Sequence, residues 1–304
     1  DKVAPYFGTV EKPECHMLYN VTTMATTWHT VATRDIRLLR KQMDIVCALP
    51  REYTFLNYLR CHDDIGWGLD YATLKEWGME EVPHKKYLND YFQGKVEGSV
   101  SRGELYNEDP VTGDARFCAT TASMCGVESA GFEQDEEKMN WAVRKDLMLH
   151  AYMFTQSGIP MLYSGDEIGQ VNDYTYKEDP EKAPDSRYIH RGKFNWDLVE
   201  NIKDKASVQG RIFNGLEDLE KIRRSEAVFN TDAEVYTKDY DDTSILWIVR
   251  KAEGEELHAV FNFSDQGKTI WMPEKAVYTN LVTGVKEEVE TVEMSGWDFV
   301  WMKR

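Results

Sequence analysis

The sequence has no run of about 18 apolar residues, so no segment is long and apolar enough to cross a bilayer as a helix. Positive charge is also scarce. The 36 lysines and arginines stand against 53 aspartates and glutamates, which leaves a formal net charge of −17. Such a chain repels nucleic acid and anionic membrane surfaces. We therefore expect neither nucleic acid nor a membrane as a partner.

Cysteine is sparse, and its pattern is not that of a disulfide framework or a metal site. The spacing of Cys118 and Cys125 is not a zinc spacing. An odd number of scattered cysteines is typical of a reducing compartment, so we expect a cytoplasmic protein. The sequence also lacks a glycine-rich phosphate loop, a His-x-x-x-His pair and a calcium-loop register. We predict that the protein uses no metal and no cofactor.

A histidine and two carboxylates directly follow an apolar segment that is typical of a β-strand. The segment is Tyr53–Leu59, and behind it lie His62, Asp63 and Asp64. In folds built from parallel strands and helices, loops at the carboxyl ends of the strands converge on one pocket. Asp63 is suited to stabilising the oxocarbenium-like transition state of glycoside cleavage, with His62 bonding sugar hydroxyls. The alternative is that these three side chains only hold the loop in place.

A second acidic loop follows the short apolar segment Ile159–Tyr163 and contains Asp166 and Glu167. Two such loops suggest a pocket for a neutral polyhydroxylated ligand or a cation. Because adjacent side chains of an extended loop point apart, we expect this pair to support the loop rather than to form a catalytic dyad. Arg116 and Arg187 are further candidates, since a guanidinium makes forked bonds to carboxylates or vicinal hydroxyls. A solvated surface charge is the simpler explanation of either arginine.

Apolar periodicity divides the chain into two parts. The first part alternates strand and helix patterns: a strand at 15–19, a helix at 21–46, a strand at 53–60, short helices at 75–78 and 84–92, a helix at 136–156, a strand at 159–163 and a helix at 207–224. The stretch 70–132 is too long for a plain connection and indicates a structured excursion over the pocket. After residue 232, glycine-punctuated β-type segments predict a separate antiparallel β-sandwich, with strands at 244–250, 257–263, 269–272 and 297–302.

Three motifs closely resemble those of amylosucrases, the sucrose-using transglucosidases of the α-amylase superfamily (glycoside hydrolase family 13). They are Leu59–Trp67, Ile159–Gly169 and Asp185–Arg191. The His-Asp-Asp and Gly-Asp-Glu motifs point to the superfamily as a whole. The Ile-Gly-Trp and Asp-Ser-Arg-x-x-x-Arg contexts narrow the resemblance to the amylosucrase-like group, and the likeness runs along essentially the whole chain.

The resemblance implies an α/β fold, namely the C-terminal portion of a (β/α)8 barrel followed by an antiparallel β-sandwich. The barrel part would occupy 1–231, with the sixth to eighth strands near residue 18, at 53–60 and at 159–163. An inserted subdomain would lie at about 70–132, and the sandwich at 232–304. The nucleophilic aspartate and the general-acid glutamate would belong to the fourth and fifth strands, before residue 1. The missing N-terminal half of the same enzyme is therefore an expected partner.

Roles for individual residues also come from the resemblance. Asp63 matches the family's transition-state-stabilising aspartate, and His62 matches its substrate-binding neighbour. Asp64 and Arg116 match sugar-contacting positions, while Arg187 matches the arginine that helps to close the bottom of the glucosyl pocket. The resemblance thus implies one catalytic residue and four substrate-binding residues on this chain.

The implied activity is that of a retaining enzyme that transfers glucosyl groups from sucrose or an α-glucan. Lys85 stands where an arginine is expected, which leaves acceptor binding and the product open. Two alternatives remain: an α-glucosidase or sucrose hydrolase of the same superfamily, and a non-catalytic carbohydrate-binding derivative. A retaining mechanism needs two carboxyl groups about 5–5.5 Å apart, and Asp63 is neither of them. We therefore predict that this chain alone is inactive.

Overall fold

The structure is a computed structural model that describes residues 3–9 and 11–304, so residue 1, where the predicted barrel part begins, lies outside the described residues. Helices and short strands alternate through its first half. They are α1 (Ala4–Phe7), β1 (Met17–Tyr19), α2 (Val21–Thr33), α3 (Arg37–Cys47), β2 (Thr54–Asn57), β3 (Ile65–Gly66), α4 (Tyr71–Glu76), α5 (Glu81–Phe92), β4 (Glu104–Tyr106), β5 (Arg116–Cys118), α6 (Thr121–Cys125), α7 (Val127–Glu133), α8 (Glu136–Thr155) and β6 (Ile159–Pro160).

The second half of the chain begins with short 3-10 turns and ends in β-structure. Helix α9 (Val208–Ser225) separates the two. The strands after it are β7 (Glu234–Lys238), β8 (Ile245–Ala252), β9 (Glu255–Asn262), β10 (Lys268–Asn280), β11 (Lys286–Met294) and β12 (Phe299–Lys303). None of the helices in the described part of the chain is long and apolar enough to pass through a membrane.

Three strands form a parallel sheet in the order β1-β2-β6, which is the order predicted for three successive barrel strands. Leu18 pairs with Phe55, and Leu56 pairs with Ile159. The strands β2 and β6 end at Asn57 and Pro160, earlier than the predicted residues 60 and 163. Because their carboxyl ends lie at the same edge, the two acidic loops leave the sheet side by side.

The single helix predicted over 21–46 is wrong, because the structure divides it into α2 and α3. Helix α2 ends at Thr33, and the next residue, Arg34, has a φ of 58° in the left-handed region. An Asp35 carboxylate oxygen then accepts a hydrogen bond from the Arg37 amide at 3.0 Å, beside the start of α3. The three- and four-residue spacing of apolar side chains continues across this break, so periodicity could not reveal it.

The long helices α8 and α9 begin where the sequence analysis predicted them, and each has a side-chain cap. The Asp135 carboxylate accepts from the Lys138 amide at 3.0 Å, and two glutamates in the first turn of α8 complement the helix dipole. The Ser207 hydroxyl accepts from the Gly210 amide at 2.9 Å at the start of α9. Both helices are thus specified by short-range chemistry as well as by their apolar faces.

The stretch 70–132 contains the helices α4 to α7 and a hairpin of β4 and β5. Strand β5 also pairs with β3, so these strands form an antiparallel sheet in the order β3-β5-β4. In this pairing Gly66 lies opposite Arg116. The excursion is therefore hydrogen-bonded to the chain immediately behind Asp64, which brings one of its arginines to the acidic loop.

The C-terminal strands form one six-stranded antiparallel sheet in the order β11-β10-β12-β9-β8-β7, rather than the two sheets of the predicted sandwich. The physical reason is that β12 pairs with both β9 and the end of β10, which joins the strands on its two sides. The edge strands β7 and β11 were not predicted. Strand β11 carries mostly charged side chains, as edge strands often do, and such a segment lacks an apolar alternation.

Alternate side chains of β8 enter two different apolar clusters. Leu246 and Ile248 pack in the main core with Tyr152 of α8, whereas Ile245 and Trp247 belong to a second cluster of the β-region. Because helices and sheet share the main core, its side chains alone mark no boundary between two units. The division at 231 and 232 therefore stays a prediction.

Candidate active site

The loop with His62 and Asp63 lies between β2 and β3, at the carboxyl edge of the parallel sheet. The Asp63 side chain is 59% exposed, and its Oδ2 lies 3.4 Å from His62 Nε2. On its other side, Asp63 Oδ1 lies 3.7 Å from Arg191 Nη2. The structure thus presents the predicted catalytic carboxylate to solvent, between a histidine and a guanidinium.

Two residues of the loop after β6 hold the backbone at His62. Arg191 Nε donates to the His62 carbonyl oxygen at 2.6 Å, and His190 Nε2 lies 3.2 Å from the same oxygen. Because a carbonyl oxygen only accepts, His190 carries a proton on Nε2 and donates this hydrogen bond. The carbonyl next to Asp63 is therefore held from the neighbouring loop, which restricts where the carboxylate can point.

The Asp64 side chain points toward the excursion 70–132 rather than toward His62. Its Oδ1 lies 3.6 Å from Arg116 Nε, and the side chain is largely buried. Burial raises the pKa of the Asp64 carboxyl, while Arg116 and Arg187 oppose that rise. Gly66 allows this approach, since a Cβ there would come within 2.8 Å of Arg116 Nη1. Asp64 and Arg116 are thus brought together, as two sugar-contacting residues would need to be.

The charge of Arg187 helps to lower the pKa of Asp64, but two nitrogens of its guanidinium already bind Asp185. Its Nε and Nη2 donate to the two Asp185 carboxylate oxygens at 2.8 and 2.7 Å. The guanidinium also stacks 4.8 Å from the centre of the Tyr106 ring. The pair with Asp185 raises the pKa of Arg187 and lowers that of Asp185. Asp185 therefore fixes the orientation of the Arg187 side chain at the site.

The second acidic loop supports structure, as the sequence analysis predicted. Asp166 is buried, and its Oδ1 accepts from Arg60 Nε at 2.8 Å. Glu167 turns the other way, where its Oε2 accepts from the Gly165 amide at 2.8 Å. These two carboxylates point apart and are both engaged, so they do not form a catalytic dyad.

Arg60, His190 and Arg191 had no predicted role, although all three lie within the motifs quoted above. Arg60 forms the buried pair under the loops, and its guanidinium lies 4.5 Å from the centre of the Tyr163 ring. Their positions close to the acidic residues of these motifs could have indicated that they support the site. What the sequence could not reveal is which of several nearby arginines is buried and which is exposed.

Lys85, which stands at an expected arginine position, is engaged within the excursion. Its Nζ lies 2.8 Å from Glu81 and 3.5 Å from Asp114, and it also lies over the Tyr71 ring. The side chain is only 12% exposed. A role for this residue in acceptor binding finds no support in these contacts.

One group of potential metal ligands occurs among residues 3–9 and 11–304. The Cys61 thiol, a His62 ring nitrogen and an Asp63 carboxylate oxygen all lie within 4.8 Å of one another. The three residues are consecutive and form part of the candidate site itself. The expectation that the protein uses no metal stays a prediction.

Burial of His190 makes the stability of this region dependent on pH. The residue is 5% exposed, its Nδ1 has no hydrogen-bond partner within the described part of the chain, and burial lowers its pKa to about 4. The pKa of His190 in the folded protein is thus below its ordinary value of 6.5. The folded state therefore keeps its full stability above about pH 6.5 and loses stability as the pH falls toward 4. We expect His190 alone to account for a loss of about 2 kcal/mol between pH 7 and pH 5.

Urea unfolding at pH 7, 6 and 5 tests this expectation. His190→Gln retains an amide that can donate to the His62 carbonyl but cannot titrate, so the free energy of unfolding should fall less steeply with acid. The exposed His16→Gln is the matched control and should follow the unmodified chain. An unchanged pH slope in His190→Gln would show that protonation of this histidine does not destabilise the fold.

No family model matches the chain. Over its full length it is 24% identical to glucosylglycerate phosphorylase of Escherichia coli (strain K12). Over 98% of its length it is 20% identical to the enzyme of the same name from Spirochaeta thermophila. The chain spans 50% of each of these curated relatives.

Solved structures show the same half-length correspondence. Sucrose 6F-phosphate phosphorylase from Thermoanaerobacter thermosaccharolyticum matches with a TM-score of 0.61 and 17% identity, over 95% of this chain and 49% of that one. An Anoxybacillus α-amylase matches with a TM-score of 0.54 and 13% identity, over 99% and 49%. Cyclic α-maltosyl-(1→6)-maltose hydrolase from Arthrobacter globiformis gives 0.53 and 14%, over 97% and 46%.

At these identities the structural matches show the fold alone: this chain has the fold of about half of each matched enzyme. Both curated relatives are named as phosphorylases, and the solved structures are named as a phosphorylase, an α-amylase and a hydrolase. They do not single out amylosucrases, because the relatives found are named as phosphorylases.

Proposed function

We propose that this chain forms the C-terminal half of a retaining α-glucoside-acting enzyme, and that Asp63 stabilises its transition state. The observation that carries the proposal is the exposed Asp63 carboxylate at the carboxyl edge of the parallel sheet. Positive charge develops at the anomeric carbon during glycoside cleavage, and a held carboxylate lowers the energy of that state. Arg191 and His190 act as positioning residues, because they bond to the His62 carbonyl.

The substrate-binding part of the proposal rests on polar groups that converge on Asp63. His62, Asp64, Arg116 and Arg187 offer both donors and acceptors, which suits a neutral ligand rich in hydroxyl groups. A groove of about 850 Å³ opens beside Arg191 and is lined by residues between 170 and 198, among them four aromatic side chains. Sugar rings stack on such side chains, so this groove offers room for a carbohydrate next to the site.

Within this class, a sucrose-using transglucosidase of the amylosucrase type is our first candidate. The motifs Ile65–Trp67 and Asp185–Arg191 support it. An α-glucosidase or sucrose hydrolase would use the same residues with water as the acceptor. A non-catalytic carbohydrate-binding derivative would keep the polar and aromatic side chains without turnover.

A second candidate is a phosphorylase, in which phosphate takes the glucosyl group. The names of the two curated relatives and of one matched structure favour it. Phosphorolysis would use the same Asp63 chemistry, since both reactions pass through a cationic transition state. The two candidates differ only in the acceptor.

We predict that the 304-residue chain alone releases no glucose and no glucose 1-phosphate from sucrose, with or without inorganic phosphate. Asp63 cannot form the covalent glycosyl intermediate by itself, because that step needs a separate nucleophile and a general acid. Robust release of either product from the purified chain would contradict the proposal that the two other carboxylates lie on another part of the enzyme.

The same assay on the complete enzyme identifies the acceptor. Glucose 1-phosphate formed only with phosphate present would show a phosphorylase, and longer glucans would show a transglucosidase. Free glucose as the sole glucosyl product would show a hydrolase. Saccharide binding without any product would support the non-catalytic derivative.

A further inference from the structure

A cavity of about 180 Å³ lies between the excursion 70–132, helix α8 and the C-terminal part of the chain after residue 232. None of its lining residues belongs to the Asp63 loop. Its polar and aromatic lining includes Arg34, Lys138, Trp141, Lys145, Asp265 and Trp297. The cavity is therefore a separate feature that the proposed glucoside chemistry does not use.

Lys145 is a buried ammonium with no ion-pair partner among residues 3–9 and 11–304. The residue is 4% exposed, and its Nζ lies 4.4 Å from the centre of the Trp297 indole. Burial lowers its pKa to about 8; Cys125 opposes that fall, and the like charge of Arg34 adds to it. At neutral pH the ammonium stays mostly charged. An indole face compensates only part of the cost of burying such a charge, which normally has an anionic partner.

The other two cations of the lining are paired with carboxylates. Lys138 Nζ contacts the carboxylates of Glu133 and Asp135. Arg34 Nη2 pairs with Asp265 Oδ2 at 3.0 Å. These pairs leave Lys145 as the cation of the cavity whose charge is unmatched among the described residues.

Two lining residues also have unusual backbones. Arg34 and Trp297 have φ values of 58° and 52°, in the left-handed region that side chains other than glycine and asparagine seldom adopt. Each such residue costs about 1 kcal/mol or more and is often found where a side chain must be directed at a ligand. At Arg34 the left-handed φ belongs to the end of α2, whereas at Trp297 the backbone holds the indole on the cavity at an energetic cost.

We infer that this cavity binds a phosphate group, either as inorganic phosphate or as the head of a small phosphomonoester. A tetrahedral oxyanion supplies the partner that Lys145 lacks. The Arg34 guanidinium gives its Nη2 to Asp265 and has further N–H donors for the other oxygens. The inference does not rest on the proposed glucoside chemistry, since it uses none of the residues around Asp63.

Calorimetric titration of the chain with inorganic phosphate, in a phosphate-free buffer at pH 7, tests the inference. We expect saturable binding, weakened about tenfold or more in Lys145→Met, which removes a charge-assisted bond but keeps the volume of the side chain. The matched control is Lys238→Met. Lys238 Nζ also lies 4.4 Å from an indole, that of Trp247, but not at the cavity, so phosphate binding should be unchanged.

A second titration with phenyl phosphate separates the two sources of the phosphate group. Binding of inorganic phosphate alone would indicate the free ion, and tighter binding of phenyl phosphate would indicate a monoester. Phosphate should also raise the thermal unfolding midpoint of the unmodified chain and leave that of Lys145→Met unchanged. Absence of saturable binding, equal binding of acetate, or equal weakening in both variants would overturn the inference.

Discussion

Replacing Asp63 by asparagine in the complete enzyme should lower kcat by about three powers of ten, with little change in KM. The amide has nearly the shape of the carboxylate but carries no charge, so it cannot stabilise positive charge at the anomeric carbon. The hydrogen bonds that hold the His62 carbonyl do not involve the Asp63 side chain, so the loop should remain in place. The loss should therefore appear in the chemical step.

Steady-state kinetics on sucrose measure this effect, and Asp218→Asn is the matched control. Asp218 is an exposed carboxylate on α9, 3.6 Å from Lys221. Its neutralisation should leave kcat within a factor of about two. A value of kcat within tenfold of the unmodified enzyme for Asp63→Asn would remove Asp63 from the catalytic role, whatever the effect on substrate binding.

Replacing Arg60 by methionine should lower the free energy of unfolding by about 3–5 kcal/mol. Arg60 and Asp166 are 2% and 3% exposed and face each other at 2.8 Å. Removal of the guanidinium leaves the Asp166 carboxylate buried without its partner, and that uncompensated charge causes the loss. Urea unfolding of the variant measures it directly.

Two further variants separate the burial of this pair from the mere loss of an arginine. Arg37→Met removes an exposed guanidinium that also pairs with an aspartate and lies over an indole. Its effect should stay below about 1 kcal/mol. The double variant Arg60→Met with Asp166→Leu should recover most of the stability, because both charges leave the interior. Equal stabilities for Arg60→Met and the unmodified chain would show that the buried pair contributes little.

Local sequence patterns predicted those strands and helices whose formation has a local physical cause. The apolar segments before His62 and Ser164, and the capped helices α8 and α9, follow from hydrophobic periodicity and from side chains that bond to nearby amides. The break after α2 and the charged edge strand β11 were not predicted. At the break, Arg34 pairs with Asp265 and the Ile36 amide donates to the Thr243 carbonyl, two partners that are distant in sequence. Strand β11 pairs with β10, its neighbour in the chain, but its charged residues give no apolar alternation.

Residue types and their order were enough to predict that acidic residues follow two neighbouring strands and that Asp63 is the strongest catalytic candidate on this chain. Residue order and apolar spacing are properties of the chain, so they are visible before folding. The pairing of each cation with its carboxylate, by contrast, became visible only in the folded molecule. Arg60 reaches Asp166 across 106 positions, and Lys145 comes to lie in a cavity with Arg34. Such pairings depend on burial and on long-range packing, which a linear pattern of residue types does not encode.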